Sequence, residues 1–337
     1  MSSLLVPILL LAQPLAWGTG FDLAATASAS ARPPECGAPG PAHAERRVTV
    51  WDRAKTPQLG RYCQALARGY SALRRAPERA LEAADQAERA WTGRAGPHAL
   101  RGRALMALGK VDQAWTAFRA AGDRRERSLK PPVTLRAYAA AAALTGHRQE
   151  AVRAYRALVP QAALLPGQAA RQQMYVEAAT WVMSEGPETL DEAVGYLTEA
   201  RRQGVPLGYR AYVLGALALA FDRQGRVEQA QGVAAEAAGP WSLAQRLGPE
   251  EEEDADGASP APRASSSETS WSGAPLLPVG EVHALVAMLA ERSEPELAVE
   301  HWRLYLAALG EAPAVWRSHA EKKLTSLAKS RSRRGGA

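Results

Sequence analysis

The amino-acid sequence predicts an all-α solenoid of helix-turn-helix units that ends in a capping helix. Between residues 60 and 239 no segment has the pattern of a strand, and Ala, Leu, Arg, Glu and Gln, which favour helices, predominate. Gly and Pro interrupt this region at short and regular intervals. Regular interruption by helix breakers is typical of a repeated helical unit.

The repeat consists of a glycine, an alanine five positions later and an aromatic or apolar residue four positions after that. Its clearest copy is Gly109, Ala114 and Phe118. The recurring alanine marks five units, at Ala80, Ala114, Ala151, Ala193 and Ala230. Successive alanines are 34, 37, 42 and 37 residues apart. Each unit therefore has room for two helices and a turn.

This pattern resembles the tetratricopeptide repeat family, whose unit is a helix-turn-helix with small residues where its two helices touch. In the second unit Gly102 takes the small position of the first helix and Leu105 the large position that follows. In the fifth unit Ala218 and Phe221 take these places. One pair of helices buries too little surface alone, so the resemblance implies stacked units with a concave inner surface. An unrelated Ala-rich helical bundle is the alternative.

The chain divides into six predicted segments. They are a signal peptide (1–31), a Pro/Gly-rich N-terminal segment (32–59), a tetratricopeptide-like solenoid of about five repeats (60–247), a disordered acidic, Ser- and Pro-rich linker (248–279), a further repeat with a capping helix (280–330) and a basic tail (331–337).

The linker and the capping helix are predicted from composition and periodicity. The acidic run Glu250–Asp254 is followed by Ser, Pro and Ala with almost no large apolar residues, which favours disorder. A short helical piece at 241–247 precedes this linker. Helical pattern resumes at Glu281 around a sixth repeat alanine, Ala298. A last helix beginning near Pro313 is expected to cap the solenoid.

The first residues and the two cysteines bear on the compartment. An apolar stretch, Ser3–Trp17, is followed by small residues with Ala-x-Ala sites, as in a secretory signal peptide, although no Lys or Arg precedes it. A periplasmic or secreted location is predicted, with a cytoplasmic location as the alternative. In an oxidising periplasm Cys36 and Cys63 can form a disulfide, whereas in a cytosol they are two thiols.

Searches for catalytic and cofactor motifs find none. The patterns GxGxxG, HExxH, GxSxG and CxxC do not occur. His283 and His301 form the one histidine pair worth considering, and we assign it no metal or catalytic role. The sequence therefore predicts no enzymatic activity, no cofactor, no bound metal and no small-molecule substrate.

A partner is expected on the concave face that the resemblance implies. The side chains placed there by their repeat positions are Tyr62, Leu66, Arg103, Arg136, Tyr212, Leu219 and Arg223. Since the sequence contains no Asn, it lacks the Lys, Asn and Arg clamp with which some family members hold a chain terminus. A mostly apolar groove with a few arginines favours a hydrophobic or helical segment.

Charge and composition complete the functional hypothesis. The formal net charge is +6, and Arg provides 35 of the 41 basic residues, a bias typical of a high-GC bacterial genome. The sequence predicts a non-enzymatic protein–protein interaction scaffold, an accessory subunit of a bacterial envelope complex with envelope proteins as partners. Nucleic acid is disfavoured because no aromatics interleave the arginines. Peripheral membrane association stays open. The alternative is a cytoplasmic regulatory adaptor that binds an acidic partner or nucleic acid through arginines.

Overall fold

The computed structural model describes residues 36, 57–124, 126–237, 275–310 and 315–335. These residues form thirteen α-helices and contain no strand. The helices are α1 (Pro57–Ala72), α2 (Pro77–Ala90), α3 (Ala95–Ala107), α4 (Val111–Arg124), α5 (Pro132–Leu144), α6 (Arg148–Leu158), α7 (Gly167–Met183), α8 (Leu190–Arg202), α9 (Leu207–Arg223), α10 (Val227–Glu236), α11 (Glu281–Ala290), α12 (Pro295–Ala308) and α13 (Arg317–Gly335).

The helices pack as six adjacent pairs, α1/α2 through α11/α12, and α13 follows the last pair. The first helices of successive pairs also contact one another, as α9 does with both α7 and α11. We call the first helices of the pairs the inner helices and the second helices the outer helices. The predicted all-α, tetratricopeptide-like solenoid with a terminal capping helix is thus confirmed.

Inner and outer helices differ in how they are buried. Each residue from Gln172 to Met183 of α7 is buried, as is each from Ala211 to Ala220 of α9. The outer helix α6 instead buries one stripe, which includes Ala151, Tyr155 and Leu158, and exposes its other face. Apolar residues at helical spacing produce such a one-sided stripe. The inner helices α7 and α9 are therefore covered on all sides over these stretches, whereas the outer helix α6 faces solvent on one side.

The repeat alanines lie at the contacts between the paired helices. All six are fully buried: Ala80, Ala114, Ala151, Ala193, Ala230 and Ala298. The glycine that precedes the alanine ends an inner helix in the left-handed conformation at Gly109, Gly146 and Gly225, with φ of 70°, 80° and 77°. That conformation is strained for residues with a Cβ. The glycine-to-alanine spacing therefore encodes a turn and the contact that follows it.

Several predictions fall outside the described residues. They concern the signal peptide (1–31), the helical piece at 241–247, the linker up to residue 274 and the last two residues of the basic tail. Within the N-terminal segment, Cys36 forms a disulfide with Cys63 of α1, with their Cα atoms 5.6 Å apart. Among the described residues, no helix is both long and apolar enough to cross a bilayer.

The contact between α3 and α4 gives a test of the packing. A Cβ added at Gly102 would lie 2.7 Å from the ring of Phe118, which is itself fully buried. We expect Gly102→Ala to lower the free energy of unfolding by about 1–3 kcal/mol because the ring has no room to move. Gly195→Ala is the matched control, because Gly195 lies at an exposed position of α8 and its added Cβ would meet nothing within 4 Å. It should stabilise by about 0.5–1 kcal/mol.

Urea unfolding followed by circular dichroism measures both variants. Equal effects of the two substitutions would show that the α3–α4 contact is not packed as described.

Candidate protein-binding surface on the inner helices

Four residues predicted to line an open groove lie in the core instead. The exposed fractions of Tyr62, Leu66, Tyr212 and Leu219 are 1%, 0%, 2% and 0%. Tyr62, for example, packs edge-on against Trp91, with ring centroids 5.8 Å apart. In this structure the four side chains pack within the protein, and their contact with a partner stays a prediction. Their repeat positions are on inner helices, but the faces on which these four side chains lie are turned into the core.

The three predicted arginines are also buried and interact within the protein. The Arg103 guanidinium lies 5.3 Å from the Tyr70 ring centroid, and burial lowers the pKa of Arg103. Arg136 and Arg223 each form an ion pair with a carboxylate on the next inner helix. The structure therefore does not bring the seven predicted residues together on one binding surface.

The first of these ion pairs links α5 to α7. The Arg136 Nη2 atom lies 3.2 Å from Glu177 Oε1, and the Glu177 side chain has no exposed surface. The Tyr155 hydroxyl, from outer helix α6, donates to Glu177 Oε2 at 3.4 Å. Burial and the nearby Glu177 carboxylate raise the pKa of Tyr155 well above its usual value, so its hydroxyl stays a donor. Three helices thus meet at one buried carboxylate.

A segment from the distal side of the linker completes this site. The Leu276 backbone N–H donates to Glu177 Oε1 at 3.1 Å, and the Trp181 indole N–H donates to the Leu276 carbonyl at 2.9 Å. The Leu276 side chain is buried in the main core cluster. Residues Pro275–Pro278, outside any regular element, therefore lie on the inner face of α7. These four residues lie within the predicted linker. The one sequence feature that points to their contact with α7 is Glu177, a single carboxylate in an apolar stretch that requires a polar partner.

The second ion pair repeats the arrangement between α9 and α11. The Arg223 Nη2 atom lies 2.9 Å from Glu281 Oε1, and both side chains are buried. The Tyr305 hydroxyl, from outer helix α12, lies 3.3 Å from Arg223 Nη2 and 3.4 Å from Glu281 Oε1. The Trp316 ring lies over the Arg223 guanidinium, with its centroid 4.7 Å from the guanidinium carbon, as Leu276 contacts Glu177 at the first site. Both sites therefore combine an inner Arg, the next inner Glu and an outer Tyr.

A charged network holds α13 beside this second pair. His319 Nε2 lies 2.7 Å from Asp222 Oδ2, and Lys323 Nζ lies 2.6 Å from Asp222 Oδ1 and 2.9 Å from Glu291 Oε2. Burial raises the pKa of Asp222, but hydrogen bonds from His319 and Lys323 outweigh it and leave the pKa lowered. For Glu291, burial dominates and its pKa is raised. The ionised Asp222 is the centre of this contact.

The two histidines paired in the sequence analysis, His283 and His301, are in contact in the structure. The Nδ1 atoms of His283 and His301 are 3.2 Å apart. Burial lowers the pKa of both rings, and His301 lowers that of His283 further. Within the described ranges, no three His, Cys, Asp or Glu side chains are grouped as metal ligands.

The Glu177 site predicts a specific stability response. Glu177→Leu leaves the buried Arg136 guanidinium without its carboxylate, which should destabilise the protein by about 3–5 kcal/mol. The double variant Arg136→Met/Glu177→Leu should recover most of this loss, because apolar residues replace a buried pair at little net cost. Urea unfolding measures both.

Glu150→Gln is the matched control because the Arg153–Glu150 pair lies on the surface of α6. It should change stability by less than about 0.5 kcal/mol. A double variant as unstable as Glu177→Leu would contradict the described pairing.

Comparison with known proteins finds no matching family model and no matching curated protein. Solved structures similar to this chain include two that are described here. One is a chain of Naa15/Naa10 bound to HypK-THB, with 16% identity and a TM-score of 0.36, covering 84% of this chain and 35% of that chain. The other is a chain of the APC/C hetero-tetramer Cut9-Hcn1, with 13% identity and a TM-score of 0.33, covering 79% and 52%. This chain thus spans about a third and about half of their lengths. The fold assignment rests on the helix pairs described above.

Proposed function

We propose that the protein is a non-enzymatic scaffold that binds an extended polypeptide segment at Glu177 and Trp181 of α7. In the free protein its own segment Pro275–Pro278 occupies this site. One observation carries the proposal. The backbone of Leu276 is held on both sides, through its N–H by Glu177 and through its C=O by Trp181. Every polypeptide offers these two backbone groups, so the same pair of contacts accepts a segment of another protein.

The surroundings of Leu276 indicate which segment fits. Its side chain is buried, with an exposed fraction of 5%, so the site favours an apolar residue there. Pro275 and Pro278 flank the two leucines, and proline favours an extended chain that loses little freedom on binding. We infer that the partner segment is extended, contains proline and places one Leu-like side chain next to α7.

The scaffold function is better supported than the alternative of nucleic-acid binding through arginines. Several surface arginines are paired with carboxylates, including Arg156 with Glu185 and Glu192, and Arg201 with Glu236. Such pairs neutralise the positive charge that phosphate recognition requires.

We further propose that the protein is exported and acts in a bacterial envelope complex. The apolar N-terminal stretch and the Cys36–Cys63 disulfide support this location, because structural disulfides persist in oxidising compartments. We expect the native protein in the periplasmic fraction. Its mass should equal that of a chain that begins near residue 30 and is lighter by the two hydrogens lost on disulfide formation. Intact mass spectrometry with and without reductant measures this. A full-length, reduced protein in the cytoplasmic fraction would overturn export while leaving the α7 site untouched.

Binding at α7 is tested with a fluorescent peptide of residues 271–280 and the full-length protein. In wild type the tethered segment competes at an effective concentration on the order of millimolar, so the peptide should bind weakly. Leu276→Asp should release the tethered segment and strengthen peptide binding by at least about tenfold. Adding Trp181→Phe removes the indole donor and should weaken binding again by about fivefold or more. Fluorescence anisotropy measures each affinity.

Val279→Asp is the matched control, because Val279 is 71% exposed and adjoins the same segment. It should bind the peptide as weakly as wild type. If Leu276→Asp keeps its helical content and still fails to bind the peptide, the proposed function is wrong.

A further inference from the structure

The last helix is attached to the solenoid mainly through polar contacts. The Trp316 indole N–H, just before α13, donates to the Met183 carbonyl at 2.9 Å. His319 and Lys323 then contact carboxylates at 2.6–2.9 Å. Positions 316, 319 and 323 follow the helical spacing of one face. The attachment is thus an aromatic anchor followed by a histidine and a lysine.

The surface that receives this face lies where three inner helices end. We call the Met183 carbonyl, Asp222 and Glu291 the carboxyl-end surface, because they lie at or just beyond the ends of α7, α9 and α11. The ends of helices carry partial negative charge from carbonyls without helical partners. Arg223 and Glu281 beside this surface neutralise each other. The carboxyl groups of Asp222 and Glu291 therefore remain as hydrogen-bond acceptors for a cationic side chain.

The helix itself buries little apolar surface. Among residues 315–329, only Trp316 and Ala320 are buried, and Leu324 and Leu327 are half-buried. The inner helix α11, by contrast, buries every residue from Ala284 to Ala290. Segments with few buried apolar contacts open at a lower free energy than the rest of a protein. α13 is therefore suited to leave its place while the core stays folded.

We infer that the carboxyl-end surface is a docking surface for a basic amphipathic helix of a partner protein. That helix carries an aromatic residue, a hydrogen-bonding side chain such as histidine three positions later and a cation seven positions later, and α13 is the built-in occupant that it replaces. The charge of the surface and the pattern of its present occupant define this chemistry. This surface is separate from the Glu177 site, and its use does not depend on peptide binding there.

The test uses the full-length protein and a fluorescent peptide of residues 313–330 as the model basic helix. Trp316→Ala/Lys323→Ala in the protein removes the anchor and one cation, which should release α13; hydrogen exchange of the α13 amides reports the release. Fluorescence anisotropy should then show binding at least about tenfold tighter than to wild type. Lys322→Ala, an exposed position of the same helix, is the control that should not strengthen binding.

The receptor side is tested by Asp222→Asn and, separately, by Glu291→Gln in the released variant. Each should weaken peptide binding by about tenfold or more, since each removes a charged hydrogen-bond partner. A scrambled peptide of equal charge should not bind, and Trp181→Phe should leave binding unchanged. That last variant separates this site from the proposed α7 site.

Three results would overturn the inference. The first is a released α13 with no binding of the peptide, or with equal binding of the scrambled peptide. The second is an α13 whose amides stay protected in the double variant, which would make it a fixed structural cap. The third is a wild-type dimer, seen by light scattering, that grows with concentration and is abolished by Lys323→Ala, which would make the occupant a second copy of this chain.

Discussion

The full burial of the central inner helices, α7 and α9, is the constraint on which the rest of the structure depends. A carboxylate in such a layer is costly unless its oxygens are paired and hydrogen-bonded. Glu177 meets this need with Arg136, Tyr155 and the backbone N–H of Leu276. The position of Pro275–Pro278 on α7 is therefore explained by the need of the buried Glu177 carboxylate for a hydrogen-bond donor. The hydrogen bond from Leu276 to Glu177 exists because Glu177 is charged and buried; an apolar residue at this position would not require a polar partner.

Buried ion pairs of this kind add little net stability, because apolar residues of similar volume often replace them without loss. In this protein the ion pairs instead determine how neighbouring inner helices are placed. An arginine on one inner helix and a glutamate on the next fix how the two helices are placed, and a tyrosine from an outer helix joins each pair. The Glu177 carboxylate that accepts from Leu276 is consequently held in place by Arg136 and Tyr155. Such preorganisation lowers the ordering cost of binding, which is why the proposed partner segment is short.

The sequence predicts the solenoid well because the signals for it are local. The glycine-to-alanine spacing at Gly109 and Ala114 encodes a left-handed turn and a close helix contact within six residues. The binding surface depends on contacts that local patterns do not contain. The repeat position of Tyr212 identifies an inner helix correctly, but it does not reveal that this face is covered. Leu276 is 99 residues from Glu177 in the chain, and Trp316 is 133 residues from Met183. No helical periodicity carries information over such separations. The unusual residues themselves, a glutamate in apolar α7 and arginines at Arg136 and Arg223, were the available clue that polar partners must come from elsewhere.

A solenoid has two ends, and each terminal helix would expose an apolar face unless something covers it. At the first end the cover is covalent, since Cys36 is bonded to α1 and packs on the core of the first pair. At the other end the cover is α13, held by charges and one tryptophan. A covalent cover is fixed while the redox conditions stay constant, whereas an ionic one exchanges with any competitor of the same charge pattern. The first end is thus closed by a covalent bond, whereas the other end is closed by polar contacts. The two segments that the chain places on its own inner helices, Pro275–Pro278 at Glu177 and α13 at the carboxyl-end surface, both contact the last three inner helices, so the two proposed partner sites lie at the same end of the molecule.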